Sequence, residues 1–411
     1  MIRSSRYIPS SIVKGAAVSS RPFISVWDTT NAGSATDTVI LPWTPGNNTK
    51  VDWGDGTVNN SNSHTYSSSG TYTIKVFGKL LGFRFNNGGD RRKLINITQW
   101  GGFNFTATQV FYGCSNLVIS AIDKPIIGAG DRRGTFRNCG QIVTIPNLSD
   151  WDMSQVTSLR DFFRNCSNFN QSFTWRIPLC NTTWDMLRDN NDFNGVVDFI
   201  DPLVLFDVEG MYQNCDSFNN SIPFLERPNF ITYLEDFLRD CHNFNHASVA
   251  NWVTDTWGTY WKLLRGCTAF NQPLTNWNTS AALDMEDMLR DCVLFNQDLS
   301  HFDTSNVFYL VGFLWNVSAF NQDISNFNIE NCFGGLGNML NGVTLSTVNY
   351  DALLLAWSTQ NVPDFLTFHG GGSQYTAESI PPEDPAVTGG DGRLILVTRD
   401  SMTITDGGIA P

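Results

Sequence analysis

One eleven-residue phrase, FRNCSNFNQSF at 163–173, is rewritten along most of this chain. It returns as YQNCDSFNNSI from Tyr212, LRDCHNFNHAS from Leu238, LRGCTAFNQPL from Leu264, LRDCVLFNQDL from Leu289 and LWNVSAFNQDI from Leu314. LRDNNDFNGVV from Leu187 is a weaker copy, and the stretches from Phe136 and Phe111 are degenerate ones. Through them runs a cysteine column, Cys114, Cys139, Cys166, Cys215, Cys241, Cys267 and Cys292, with Asn190 and Val317 standing in it, at steps of 24 to 27 residues. A unit that short cannot bury its apolar face alone and must stack on its neighbours. The chain is a repeat protein.

Each unit repeats an internal order. Met285, Met288 and Leu289 stand at i, i+3 and i+4 before the column, which places them on one face of a helical turn. After the column come Phe-Asn pairs, among them Phe169-Asn170, Phe244-Asn245, Phe270-Asn271, Phe295-Asn296 and Phe320-Asn321. A short extended piece and a second aromatic such as Trp252 or Trp277 close the unit. At the parallel-strand spacing of about 4.8 Å, these become ladders of rings and amides. The cysteines of the column, Cys166, Cys215, Cys241, Cys267 and Cys292 among them, then lie side by side in a poor geometry for disulfides and read as small buried residues. The expected fold class is an α+β repeat, a leucine-rich-repeat-like solenoid of about 25-residue period.

Charged residues make up 16% of the 411, well under the usual quarter or so, and the formal charge is −13. That balance argues against a nucleic-acid partner, which would need clustered Lys and Arg. No apolar run is long enough to span a membrane. The basic start, with Arg3, Arg6, Lys14 and Arg21 before any acid, reads either as a loose terminal tail or as an arm (1–22) that docks on an acidic partner or on its own assembly. It has no apolar h-region of signal-peptide type.

From 23 to 79 the pattern changes to short alternating β segments around VDWGDG and HTYSSSGTYTIKV. These two motifs, in this order, resemble the PKD-type immunoglobulin-like domain, which implies a small β-sandwich used as a spacer. Residues 80–100 are expected to cap the first repeat, 101–343 to form the solenoid and 344–411 to close it. The units at 270–280 and 295–305, and the exit segments LSTVNYDALLLAWSTQNV, TFHGGGSQYT and MTITDGG, resemble the BspA-type leucine-rich-repeat surface proteins. The first repeats are degenerate, and Ala281-Ala282 departs from the family's T-S-N-V step, so ligand contacts do not transfer.

Arg164, Arg188, Arg239, Arg265 and Arg290 form a stripe before the column. It would grip an anionic glycan or phosphate, or else be neutralised between coils by the aspartates beside it. Cys241, His242 and His246 have zinc-like spacing but no further ligand nearby, so no metal or cofactor is expected. Nucleophile and phosphate-loop motifs are missing, and a non-catalytic protein is expected. The resemblance implies adhesion or surface display, and the FRFNNGGD lead-in is similar to proteins of marine bacteriophages. The expectation is a phage virion protein on the tail or capsid exterior that docks on other virion proteins and binds a host-surface glycan or protein. A bacterial cell-surface adhesin and a tailspike-type polysaccharide depolymerase are the alternatives.

Overall fold

The computed structural model describes residues 21–411 except 45–48, 79, 81, 229 and 380–385. Arg3, Arg6 and Lys14 of the expected arm therefore lie outside the described residues. Arg21 and Pro22 lie against the start of the array, where the Arg21 carbonyl accepts from Gly102 N–H at 3.1 Å and the Pro22 carbonyl from Gln99 Nε2 at 2.8 Å.

Alternating burial in FISVWD and TYTIKVF makes β1 (Phe23–Asp28) and, further on, β6 (Thr71–Phe77), an antiparallel pair with apolar residues turned inward. Between them lie β2 (Thr38–Ile40), β3 (Lys50–Asp52), β4 (Val58–Asn59) and β5 (Ser63–Thr65). The turn from β3 to β4 needs Gly54, whose φ is +84° and where a Cβ would stand 2.5 Å from the Thr73 carbonyl oxygen. Asp52 and Asp55 serve that turn, accepting from Gly54 N–H at 3.0 Å and Thr57 N–H at 2.9 Å.

The sheet does not stop at residue 79. β7 (Leu94–Gln99) pairs antiparallel with β1 on one side and parallel with β9 (Val118–Ile119) on the other, giving the order β4-β3-β6-β1-β7-β9. β2 and β5 form a separate two-stranded ribbon. The antiparallel N-terminal sheet thus hands its last edge directly to the parallel array, which leaves no open edge at the junction.

From there pairing is parallel: β8 (Asn104–Phe105) with β10 (Ile126–Ile127), β11 (Gly130–Asp131) with β12 (Val156–Ser158), and β13 (Phe173–Arg176) with β14 (Val197–Ile200). Single bridges climb through Ser158, Thr182, Asp207 and Tyr233, and again through Thr259, Asp284, Tyr309 and Gly335. Alternate N–H groups reach the next coil, as from Asp287 to Val311 at 2.9 Å, Leu289 to Phe313 at 3.1 Å and Asp291 to Trp315 at 2.8 Å. The array is a mostly-β solenoid.

The helical turn expected around 285–289 is not formed. Asp287 has φ of +54° and Asp291 of +64°, which no helix tolerates. The same left-handed pair, four residues apart, occurs ten times, from Gln109 and Gly113 to Asn338 and Gly342. Met285, Met288 and Leu289 are still buried together, since a tight turn with local N–H to carbonyl bonds points them inward as a helix would. The second position of the pair immediately precedes the cysteine column and is Gly, Asn or Asp every time, the residues that bear this conformation best. Asp240 (φ +59°) tests this. Asp240→Gly should change stability by about 0.5 kcal/mol or less, and Asp240→Val should cost about 1–3 kcal/mol, read from urea midpoints.

Among the described residues the α-helices lie in the C-terminal part, α1 (Thr347–Ser358) and α2 (Gly389–Arg399), with the parallel pair β15 (Thr367–His369) and β16 (Thr403–Thr405). The ladder runs on into it through the bridge from Leu336 to Phe368. α1 stands where the next coil would be. Its N-cap Ser346 donates its N–H to Asn321 Oδ1 at 2.8 Å, and Trp357 Nε1 reaches the Phe327 carbonyl at 3.1 Å.

Candidate functional site

Three internal ladders hold the coils in register, and they are the cysteine, phenylalanine and asparagine columns. From Cys139 on, the column thiols donate to a carbonyl of the preceding coil: Cys166 to Phe136 at 2.9 Å, Cys215 to Leu187 at 3.2 Å, Cys241 to Tyr212 at 3.0 Å, Cys267 to Leu238 at 3.2 Å and Cys292 to Leu264 at 3.1 Å. Asn190 fits the column because its Nδ2 donates to the equivalent carbonyl, that of Phe163, at 3.0 Å. Burial pushes these thiols well up, Cys166 to about 12, so they are not thiolates at neutral pH.

The Phe169, Phe193, Phe218, Phe244, Phe270, Phe295 and Phe320 rings form one continuous stack, with centroids 5.7–6.2 Å apart and planes within 15° of parallel. The asparagines do not pair amide to amide. Each Oδ1 accepts the backbone N–H of the next coil's asparagine at 2.9–3.0 Å, from Asn170 through Asn194, Asn219, Asn245, Asn271 and Asn296 to Asn321. Gln272, Gln297 and Gln322 add a second donor to the same oxygens. These columns are structural, and they leave the outward row beside the parallel bridges to face solvent.

The arginine stripe lies in that row, and each of its members is matched to aspartate. Arg164 Nη1 is 2.7 Å from Asp185 and 3.1 Å from Asp161; Arg188 is 3.4 Å from Asp185. Arg239 lies 3.2 Å from Asp236, while Arg265 and Arg290 share Asp287 at 3.0 and 3.3 Å. Asp161, Asp185, Asp236 and Asp287 occupy the first left-handed position, so the backbone fixes the carboxylates and the arginines close over them. Burial raises the Asp185 carboxyl despite Arg188 and Arg164 beside it.

Next to the stripe lie half-buried tryptophans and a run of acids that inspection of the repeat phrase missed. Arg160 covers Trp184 at 3.7 Å and Arg290 covers Trp315 at 3.7 Å; Lys262 lies 3.9 Å from the Trp261 ring. Glu209 is pushed up to about 7, by burial first and then by Glu235, Asp207, Asp185 and Asp236. The folded chain therefore keeps a proton on Glu209 that the unfolded chain gives up near pH 4.5, so stability falls as pH rises from about 4.5 to about 7. For a half-exposed carboxyl we expect about 1 kcal/mol after solvent screening. Glu209→Gln should recover it at pH 8 and flatten thermal midpoints across that window.

Farther along the row, aromatic rings stand open to solvent. Tyr233 is 51% exposed, Tyr309 45% and Phe333 67%, with Phe206 and Phe308 beside them. Phe206 packs edge-on against Tyr233, and Phe308 lies 6.5 Å from Phe333. His242 is held by Asp216, and His246 Nδ1 caps a short turn by accepting Ser248 N–H at 3.2 Å. Among the described residues there is no cluster of three metal-ligating side chains, and no helix is long and apolar enough to cross a membrane.

Comparison with known proteins matches the array and little else. No curated protein and no solved structure matches the chain. The family described as "Mycoplasma protein of unknown function, DUF285" matches twice in tandem, over 131–231 and 232–352, together more than half of the chain. The matched residues carry all but the first of the left-handed turns, the stacked rings and the asparagine ladder, in agreement with the BspA-type repeat read from the phrase. The chain belongs to the DUF285 family.

Proposed function

We propose that this chain is a non-catalytic binding protein displayed on the exterior of a phage particle, on the tail or the capsid, where its repeat face holds a host-surface glycan or protein. The observation that carries this reading is the row of open rings along the bridge ladder, Phe206, Tyr233, Phe308, Tyr309 and Phe333. A rigid solenoid presents them at fixed spacing, and rings of this kind supply contact area at low entropic cost. The N-terminal sheet with its Gly54 turn is read as a PKD-like spacer, and residues 1–22 as the arm that docks on other virion proteins.

A second reading, a polysaccharide depolymerase, draws on one observation. Glu209 keeps its proton toward neutral pH beside Glu235, as an acid in a glycosidase pair does.

Purified full-length protein and Tyr233→Ala/Tyr309→Ala are tested for retention on host cells, with reducing-sugar release from host polysaccharide measured in parallel. Retention that weakens in the double variant, without sugar release, supports the binding reading. Sugar release abolished by Glu209→Gln would replace it with the enzymatic one, and absence of both would sink each.

A further inference from the structure

The left-handed position before the cysteine column is carboxylate at Asp189, Asp240 and Asp291, and Asn or Gly in the other coils, the first ones included. Asn87, Gly113, Asn138 and Asn165 hold it there, with φ of 61°, 87°, 61° and 54°. These four residues, with Ser115, Gly140 and Ser167 one or two positions on, line a depression of about 290 Å³ whose remaining walls are Arg91 and Arg92. Its floor is set by backbone bonds, from Asn87 N–H to the Tyr112 carbonyl at 3.0 Å, Gly113 to Arg137 at 2.8 Å and Asn138 to Arg164 at 2.9 Å.

Gly113 is what admits the first arginine. A Cβ at that position would crowd Asn87 Oδ1 and stand 2.7 Å from Arg91 Cδ and 2.8 Å from its Nε, so a side chain there would have to displace Arg91 from the turn. The arginines of the later stripe are all tied to aspartates, yet neither Arg91 nor Arg92 has a carboxylate partner among the described residues. Two arginines without a carboxylate partner thus line one depression, on a chain of net charge −13, a local excess of positive charge that favours an anion. The rest of the lining is amide and hydroxyl, with no aromatic ring.

We infer that this pocket is a binding site for an anionic sugar unit, its carboxylate or sulfate held by Arg91 and Arg92 and its hydroxyls by Asn87, Asn138, Asn165, Ser115 and Ser167. The guanidinium fork matches either oxyanion. The volume is at the low end of the about 300–1,000 Å³ usual for small-molecule sites, room for one unit of a glycan rather than a stretch of it. The choice of a sugar as carrier of the anion rests on the surface-binding reading above; the anion site itself does not.

The test titrates full-length protein with galacturonic acid, glucosamine 6-sulfate and glucose at constant ionic strength, followed by calorimetry. At least one acidic probe is expected to bind saturably and glucose to bind much more weakly, and the two acidic arms tell carboxylate from sulfate. Arg91→Gln and Arg92→Gln should each weaken the acidic probe by about tenfold or more. Asn138→Asp is the variant that cannot be dismissed as misfolded, because aspartate holds this backbone position in three later coils. It should weaken binding to a similar degree with an unchanged melting temperature. Silence of the wild-type protein toward both acidic probes, or binding unaltered in Asn138→Asp, would overturn the site. Equal affinity for inorganic sulfate would overturn the sugar. Host-cell retention is measured on the same variants. If it persists while the probes stay silent, the pocket fails and the surface reading stands.

Discussion

Replacing Phe295 by alanine should destabilise the protein by about 3–5 kcal/mol, one of the largest effects available to a single substitution here. The ring is fully buried and stacks on Phe270 at 5.7 Å and on Phe320 at 6.2 Å, both within 3° of parallel. Its removal opens a cavity that the two neighbouring rings cannot close, since the asparagine beside each is bonded across to Asn296 and fixes the spacing of the coils. In a solenoid the loss falls on two interfaces at once, because a coil contacts only the coils before and after it. Urea unfolding of Phe295→Ala should show either a lower midpoint or a broadened transition, as the coils on either side separate energetically. Phe295→Leu keeps much of the volume and should lose less than half as much. A sharp transition at the wild-type midpoint in Phe295→Ala would mean that the ring stack does not carry the register.

That stack was legible in the phrase itself, because a stacked position accepts one shape and so writes one letter coil after coil. The Cys, Phe and Asn columns are of this kind. The substitute Asn190 is legible afterwards by chemistry, since its amide makes the bond that a thiol makes elsewhere. The local backbone was misread for an equally physical reason. Buried residues at i, i+3 and i+4 satisfy a helix and a tight left-handed turn alike, and only Gly, Asn or Asp before every column position separates the two. The aspartates of the Arg-Asp rows are there first for the backbone, and their charge draws the arginines. The outward rings escaped notice because the positions of Phe206, Tyr233, Phe308 and Tyr309 carry different letters from coil to coil. A surface that is free to vary writes no column. The Arg91 pocket was hidden by the opposite effect, an absence of carboxylates that shows only once the coils are superposed.

Lys93 supplies the other large effect, and its role depends on contacts far away in the chain. It is 0% exposed, a rare state for lysine. Its Nζ donates to the carbonyls of Ala35 and Thr38, both at 2.7 Å, and to the carbonyl and hydroxyl of Ser34, both at 3.1 Å. Asp90 completes the knot from the same turn, accepting from Ile40 N–H and Ser34 N–H at 2.6 Å and from the Ser34 hydroxyl at 2.8 Å. The GGDRRK turn therefore ties β2 and the loop before it to β7, at the point where the antiparallel sheet passes into the array. Lys93→Ala leaves the carbonyls of Ser34, Ala35 and Thr38 without this donor and opens an empty channel. The expected loss is about 3–5 kcal/mol. Lys93→Met keeps the length and removes the donors, and should cost about 1–3 kcal/mol. The difference between the two measures packing against hydrogen bonding. Amide exchange at Ile40 should quicken in both variants while that at Asn271 and Asn296, deep in the array, stays as in the wild type. Equal quickening in the array would show instead that the N-terminal sheet and the solenoid unfold as one cooperative unit, so that this buried lysine secures the entire chain.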